Sequence, residues 1–157
     1  MTTTTNITII PYQKAYQVHF ERLNKAWLEA YFKVELVDAW VLGNPEEAIL
    51  KDGGTILFAA AGEEIIGTVA LKYMAPGIYE LTKMAVDESF QGNGAGKRLC
   101  AAAIDKAREL GAGELILYSQ TSLKAAIGIY RKLGFTELPL EPGKYERADI
   151  KMRLLLR

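Results

Sequence analysis

The residues with the clearest chemical purpose are Gln91-Gly92-Asn93-Gly94-Ala95-Gly96, which stand where an extended run, residues 79–86, gives way to a helix-like run, residues 94–110. Glycine amides carry no side chain to block close approach to an anion. The first turn of a following helix adds unpaired N–H groups and the positive end of its dipole. A strand, a glycine-rich turn and a helix in that order make a cradle for phosphate. Lys97 and Arg98 agree with it, because basic residues in a first turn oppose the dipole unless an anion lies there. The spacing narrows the ligand further. A Walker loop requires Gly five positions ahead of the Gly-Lys pair and Ser or Thr after it, whereas Gly96-Lys97 has Gln91 and Arg98 in those places. The dinucleotide fingerprint, started at Gly92 and Gly94, asks for its third glycine where Lys97 stands. The pattern that fits is Gln-x-x-Gly-x-Gly at Gln91, Gly94 and Gly96.

The elements that must position this loop are legible in outline. Ile7 to Ile10 is a short β-rich run stopped by Pro11. Apolar residues recur at helical spacing from Lys14 to Glu29 (Tyr16, Phe20, Leu23, Trp27), and a second helical stretch with Val34, Leu36 and Val37 precedes Gly43. Asn44-Pro45-Glu46-Glu47 predicts an N-cap and first turn for a small helix to about Leu50. Thr55 to Ala60, Ile65 to Tyr73 and Glu80 to Val86 form a three-strand meander with turns at Gly62-Glu63 and Pro76-Gly77. The helix after the glycine loop presents Leu99, Ala103, Ala107 and Leu110 on one face and stops at Gly111. Leu115 to Tyr118 is nearly continuous in its apolarity, as befits a strand buried on both faces and parallel to the strand before the helix. Another helix, with Leu123, Ala126, Ile127 and Tyr130 on one face, ends at Gly134; Phe135 to Leu138 and Ile150 to Leu156 then close the chain as strands joined by a Pro142-Gly143 turn. The expectation is one α/β domain over residues 5–157, a mixed central sheet of about six to seven strands flanked by about four helices.

Composition excludes more than it assigns. The 157 residues, 50% hydrophobic and 24% charged, suit one soluble domain with a single core. Lys plus Arg equal Asp plus Glu at 19 each, so no overall field attracts nucleic acid. The first 79 residues hold 6 basic and 9 acidic groups and the remainder 13 and 10, a tilt that suits an anionic ligand on the second half. One histidine, His19, and one cysteine, Cys100, leave no Ser-His-Asp hydrolase and no soft metal cluster, so no metal is expected. His19 reads as structural and Cys100 as a small buried hydrophobe. A single cysteine allows no internal disulfide, and neither a basic leader nor a membrane-length apolar run is present. The expected location is cytoplasmic, without a membrane or nucleic-acid partner, and a homodimer is left open.

Three ordered motifs resemble the GNAT superfamily of acetyl-CoA-dependent N-acetyltransferases: Glu80-Leu81-Thr82-Lys83-Met84-Ala85-Val86, the glycine loop, and Ala126-Ile127-Gly128-Ile129-Tyr130-Arg131-Lys132-Leu133-Gly134-Phe135, which is similar to an Ala-x-x-x-Tyr-x-x-x-Gly-Phe signature. The resemblance implies acetyl-CoA as co-substrate, with Met84, Ala85 and Val86 along the pantetheine arm. Gln91, Gly92, Gly94, Ala95 and Gly96 would serve its phosphates, and Asn93, Lys97, Ala126 and Tyr130 complete the residues expected to bind the cofactor. It implies Tyr130 as the proton donor to the departing thiolate, a role suited to a phenol of pKa near 10. Glu80 occupies the place of a general base in several relatives. A free carboxylate of pKa near 4.3 is weak for that task and needs burial, a water relay or an already neutral amine. The acceptor pocket of the family is built by the first two helices and their link, here Trp27, Tyr31, Phe32, Glu35 and Asp38. Many relatives have Asn where this chain has Leu123, so that contact is either lost or taken over by Ser119, Thr121 or Ser122. The implied function is transfer of acetyl to a primary amine of a small molecule or peptide, by direct attack in a ternary complex. A non-catalytic acyl-CoA-binding module and a nucleotide-binding protein of another class stay open beside it.

Overall fold

A computed structural model describes residues 6–32, 36–141 and 148–156. In chain order the elements are β1 (Ile7–Pro11), α1 (Gln17–Tyr31), α2 (Leu36–Gly43), a π-helical turn (Glu46–Leu50), β2 (Thr55–Ala61), β3 (Glu64–Ala75), β4 (Ile78–Val86), α3 (Ala95–Glu109), β5 (Glu114–Ser119), α4 (Lys124–Lys132), β6 (Thr136–Leu138) and β7 (Ile150–Leu155). The strands form one seven-stranded sheet in the order β1-β2-β3-β4-β5-β7-β6. All neighbours are antiparallel except β4 and β5, whose connection runs through α3. Pro11 does not stop the first strand ahead of itself: it is the last residue of β1, an edge strand, where a missing N–H costs no ladder bond.

Each face of the sheet is apolar and each is covered. In β2, Ile56, Phe58 and Ala60 point to one side and Leu57 and Ala59 to the other, the period of two that a strand imposes. The first side packs under Phe20, Leu23 and Leu28 of α1, Leu42 of α2 and Ile49 of the π turn. The second packs under Leu99, Cys100, Ala103, Ile104 and Ala107 of α3 and Ile127 and Tyr130 of α4. Full burial of side chains such as Phe20, Phe58, Leu99 and Met152 stabilises by about 1.5–3 kcal/mol each. The α3 stripe is the one its sequence predicts, save that Leu110 is 37% exposed and lies just past the last turn.

Asn44 departs from expectation. Instead of capping a new helix, its side-chain amide donates to Trp40 O at 3.0 Å, and the backbone passes from α2 almost directly into the π turn. The same carbonyl accepts the Asn44 backbone N–H at 2.9 Å, so Asn44 closes the end of α2 with both its groups. The expected Pro142-Gly143 turn and Val34 lie outside the described residues.

Gly54 marks a tight approach between the π turn and the sheet. A Cβ there would stand 2.3 Å from Leu71 O and 2.7 Å from Ile49 O, both backbone atoms that cannot move aside. Gly54→Ala is therefore expected to lose about 1–3 kcal/mol, as overpacking does. In urea denaturation the midpoint should fall with the slope unchanged; an unchanged midpoint would mean the turn lifts freely off β3.

Candidate active site

Two irregularities of β4 create the site. Toward β3, Thr68 faces Ala85 and Ala70 faces Thr82, so Lys83 and Met84 stand opposite the single residue Val69. This is a β-bulge, and Lys83 sits in it at φ +55°, a left-handed conformation that costs a non-glycine residue roughly 1–2 kcal/mol. The bulge reverses the strand's parity. Leu81 faces the α3 side, and after the bulge Met84 and Val86 face it too, while Ala85 joins the α1 side. Toward β5, pairing covers only Ile78 to Glu80 against Glu114 to Ile116. Beyond that point β5 continues with β7 but not with β4, and a wedge opens between the two parallel strands.

The wedge is a cavity of about 130 Å³ walled by Leu81, Thr82, Lys83 and Met84 of β4, Tyr118 and Ser119 of β5, Asn24, Trp27 and Leu28 of α1 with Phe32 after it, and Ala126 and Tyr130 of α4. It adjoins a groove of about 590 Å³ over the glycine loop and the start of α3. Trp27, Met84, Leu123 and Ala126 line both. Asp87 prepares the loop: its carboxylate accepts the Ser89 N–H at 2.9 Å, its own N–H donates to Ile66 O at 2.7 Å, and Arg22 reaches it from α1 at 3.7 Å. Gly94 then begins α3 at φ +82° with no side-chain cap and no acid in the first turn, leaving the amides and the dipole facing the groove. Gly96 differs, since its backbone is helical and a Cβ would meet only Ile129 at 3.7 Å and Val86 at 4.0 Å. Neither backbone nor packing demands glycine at 96, which lines the groove.

Charge in the wedge is buried and organised. Lys83 Nζ reaches Asp38 Oδ1 at 2.9 Å, with side chains 8% and 0% exposed, tying α2 to the bulge. Glu80 is 1% exposed. Burial, with a smaller contribution from Cys100, raises the Tyr130 phenol above its ordinary pKa, so it keeps its proton throughout the neutral range. The Cys100 thiol is pushed up to about 12 by burial alone. On the β5 side, the Tyr118 phenol is raised first by burial and then by Glu141 and Glu80. It donates to Glu141 Oε1, whose other oxygen accepts from Lys151 Nζ at 2.8 Å. Lys151 first and Tyr118 second hold the Glu141 carboxyl down at about 2. His19 is outside the walls, half-buried beside Arg22, which with partial burial lowers its pKa.

The acetyltransferase (GNAT) family model matches residues 12–135, most of the chain. The chain belongs to the GNAT acetyltransferase family. Among curated proteins it is 35% identical over 104 residues to the uncharacterized N-acetyltransferase YvbK of Bacillus subtilis, covering 64% of this chain and 67% of that protein. A mycothiol acetyltransferase of Corynebacterium glutamicum (strain R) is 33% identical over 81 residues, 52% of this chain but 28% of its own length. Among solved structures, a GNAT acetyltransferase from Staphylococcus aureus Mu50 superposes with a TM-score of 0.84 at 24% identity, covering 97% of this chain and all of that one. YncA from Salmonella typhimurium, solved with its cofactor acetyl-CoA, superposes at 0.79 and 20% identity over 96% of this chain and 94% of its own. Those two likenesses carry the fold. GNAT membership brings acetyl-CoA as acyl donor and N-acetyl transfer as reaction class. No helix among the described residues is long and apolar enough to cross a membrane.

Within this GNAT fold the residues expected from sequence divide between the two spaces. Ala85, Val86, Gln91, Gly92, Gly94, Ala95, Gly96 and Lys97 line the groove, Met84 and Ala126 line both spaces, and Tyr130 lines the cavity. Asn93 belongs to the loop but to neither wall. Trp27 lines both spaces, Phe32 the cavity and Tyr31 the groove; the Trp27 ring packs at 5.5 Å against each of the other two, tilted by 46°. Glu35 lies outside the described residues. Asp38 is occupied with Lys83, and Glu80 sits behind the cavity wall rather than in it. Leu123 gives both spaces an apolar edge. Of the polar residues near it, Thr121 is committed to Asp149 through its N–H and its hydroxyl, both at 2.7 Å, while Ser119 faces the cavity and Ser122 the groove. Asn24, Lys83, Tyr118 and Gln120 of the cavity wall were not singled out by sequence. Only Tyr118 left a signal, a polar-tipped aromatic ending an otherwise apolar buried strand.

Removing one partner of a buried ion pair costs about 3–5 kcal/mol, whereas replacing both by apolar groups of similar volume is close to neutral. Asp38→Leu should therefore destabilise more than Asp38→Leu combined with Lys83→Met. Urea unfolding of the two single variants and the double variant measures it, and simple additivity would show that the pair is not coupled.

Proposed function

We propose that this enzyme passes acetyl from acetyl-CoA to a primary amine of a small molecule or peptide by direct attack in a ternary complex. The observation that carries this reading is the continuity of groove and cavity through Trp27, Met84, Leu123 and Ala126. A thioester lying along β4 with its phosphates at the glycine loop meets an amine entering from the α1 side, with no second station between them. The backbone of residues 81–86, released from β5, has N–H and C=O groups free of a strand ladder on that edge, and buried groups of that kind take a partner. The pantetheine amides and the thioester carbonyl are such partners, and a backbone N–H aimed at the carbonyl oxygen stabilises the oxyanion that forms there.

The roles follow from the surroundings of each residue. Tyr130 stays protonated and reaches the cavity from α4, beside Ala126, so it donates to the sulfur as the C–S bond breaks. Glu80 lies on the acceptor face of β4 and takes the proton that the attacking nitrogen must lose. Trp27 and Phe32 give the cavity an aromatic wall suited to a cationic amine before it loses its charge. Acyl transfer through an enzyme thioester is disfavoured, because Cys100 is 0% exposed and its thiol is held at about 12.

A panel of 2-phenylethylamine, lysine, spermidine and a peptide with a free N-terminus, scored by thiol release, tests the activity; release with none of them would count against catalysis. Tyr130→Phe should slow transfer by about 10²-fold with little change in acetyl-CoA affinity or melting temperature, the scale of losing a general acid. Parental turnover in that variant would remove Tyr130 from the reaction. Gly96→Val should weaken acetyl-CoA binding in calorimetry far more than it weakens folding, since a side chain there enters the groove and not the core. Binding as tight as the parent's would move the phosphates elsewhere.

A further inference from the structure

A carboxylate that is 1% exposed and accepts a proton at each turnover must release it before the next, and bulk water does not reach it. The neighbourhood of Glu80 offers a route. Glu80 is in register with Ile116, so Tyr118, two residues further along β5, shares its face of the sheet. Regular strand rise and spacing give about 8 Å between the two backbones as a lower bound, because the strands part beyond Ile116, and Glu80 is still close enough for its charge to act on the Tyr118 phenol. Tyr118 also lines the cavity, and its hydroxyl donates to Glu141 Oε1. Glu141 is 49% exposed. The sequence Glu80, Tyr118, Glu141 thus runs from the closed interior of the sheet to solvent. Among the described residues, the charged groups facing Tyr118 include Glu80 from β4, Glu141, and Lys151 from β7, which lies 5.6 Å from the ring centroid and holds the far oxygen of Glu141.

We propose that Tyr118 and Glu141 form the exit through which the proton taken up by Glu80 reaches solvent. The proposal rests on Glu80 acting as the base. A phenol both donates and accepts, so one O–H bond forms on Tyr118 from the Glu80 proton as its own O–H bond breaks toward Glu141. Glu141 then releases that proton to water. Both carboxylates return to their ionised state and Tyr118 to its neutral state, with no tyrosinate formed and no other reactant consumed. A raised phenol pKa therefore does not oppose the exchange. The low pKa of Glu141 makes each hop toward it uphill and each release from it fast. Tyr118 and Glu141 touch neither reacting atom; they are positioning residues for proton movement.

The test measures kcat and KM for the parent, Glu80→Gln, Tyr118→Phe and Glu141→Gln with the amine turned over fastest in the panel, at fixed pH and ionic strength, in dilute buffer and then with increasing imidazole. Tyr118→Phe and Glu141→Gln should lower kcat about tenfold or more in dilute buffer, the lower range for losing an acid–base group, with both KM values nearly unchanged. Imidazole should restore Glu141→Gln toward the parental rate, because small buffers reach the half-exposed end of the route, and should leave the parent unaffected. A merely structural role gives no such rescue. A slow Glu80→Gln beside a parental Tyr118→Phe, or a loss in Glu141→Gln that imidazole leaves untouched, overturns the exit alone. Parental turnover in Glu80→Gln overturns the base assignment and the exit with it. Glu141→Gln, at the surface, keeps the test decisive should Tyr118→Phe fold poorly.

Discussion

Everything at the site depends on β4 losing one partner while keeping the other. Against β3 it stays paired almost to its end, so the strand is held rigidly in the sheet. Against β5 it is paired for three residues and then left open. An open strand edge inside a protein is ordinarily a liability, since its backbone groups are buried from water without partners. Here the open edge is confined to residues 81–86, between two helical layers. That confinement fits the proposed placement of acetyl-CoA, an extended ligand with amides of its own, along the edge.

The bulge at Lys83 gives the open edge its chemistry. Without it, Met84 and Val86 would share a face with Glu80 and Thr82, and the groove residues would crowd the acceptor side. With it, the polar residues of β4 face α1 and α2 while Met84 and Val86 turn toward α3 and α4, where the glycine loop lies. Lys83 is held in its strained conformation and bonded to Asp38 across the α1 side of the sheet. A buried pair of this kind adds little stability. Its consequence is geometric: it ties α2 to the bulge of β4 behind the cavity wall.

The division between what was and was not readable from sequence follows the range of the interactions. The glycine loop, the α3 and α4 stripes and the β2-β3-β4 meander are set by residues close in the chain, and each left a local pattern. The parallel relation of β4 and β5 was readable because a continuous apolar strand after a helix has few other places to go. The bulge was not, because Lys83-Met84-Ala85-Val86 carries no glycine or proline and reads as regular strand. The Asp38 to Lys83 bond spans 45 residues, and nothing in either neighbourhood announces it. Asp38 therefore read as an open acceptor-site carboxylate. Tyr118 read only as the end of an apolar strand, since the parting of the strands that brings it to the cavity wall is a property of the sheet and not of its own segment.

Transfer in so enclosed a site constrains where charge can go. In the proposed reaction the attacking amine becomes cationic as the carbonyl oxygen becomes anionic, and neither can be left for long among Leu28, Leu81, Leu123 and Ala126. The arrangement meets this with groups that are neutral or already paired. Tyr130 is a neutral donor, the β4 amides are neutral dipoles, and Lys83 enters the wall with its charge already matched by Asp38. Glu80 is the buried carboxylate on this face of β4, on the side from which the amine must enter. Dipoles at the wall and one carboxylate behind it, instead of loose charges, favour in the proposed reaction proton loss from nitrogen in step with attack, because each charge that appears is removed where it forms.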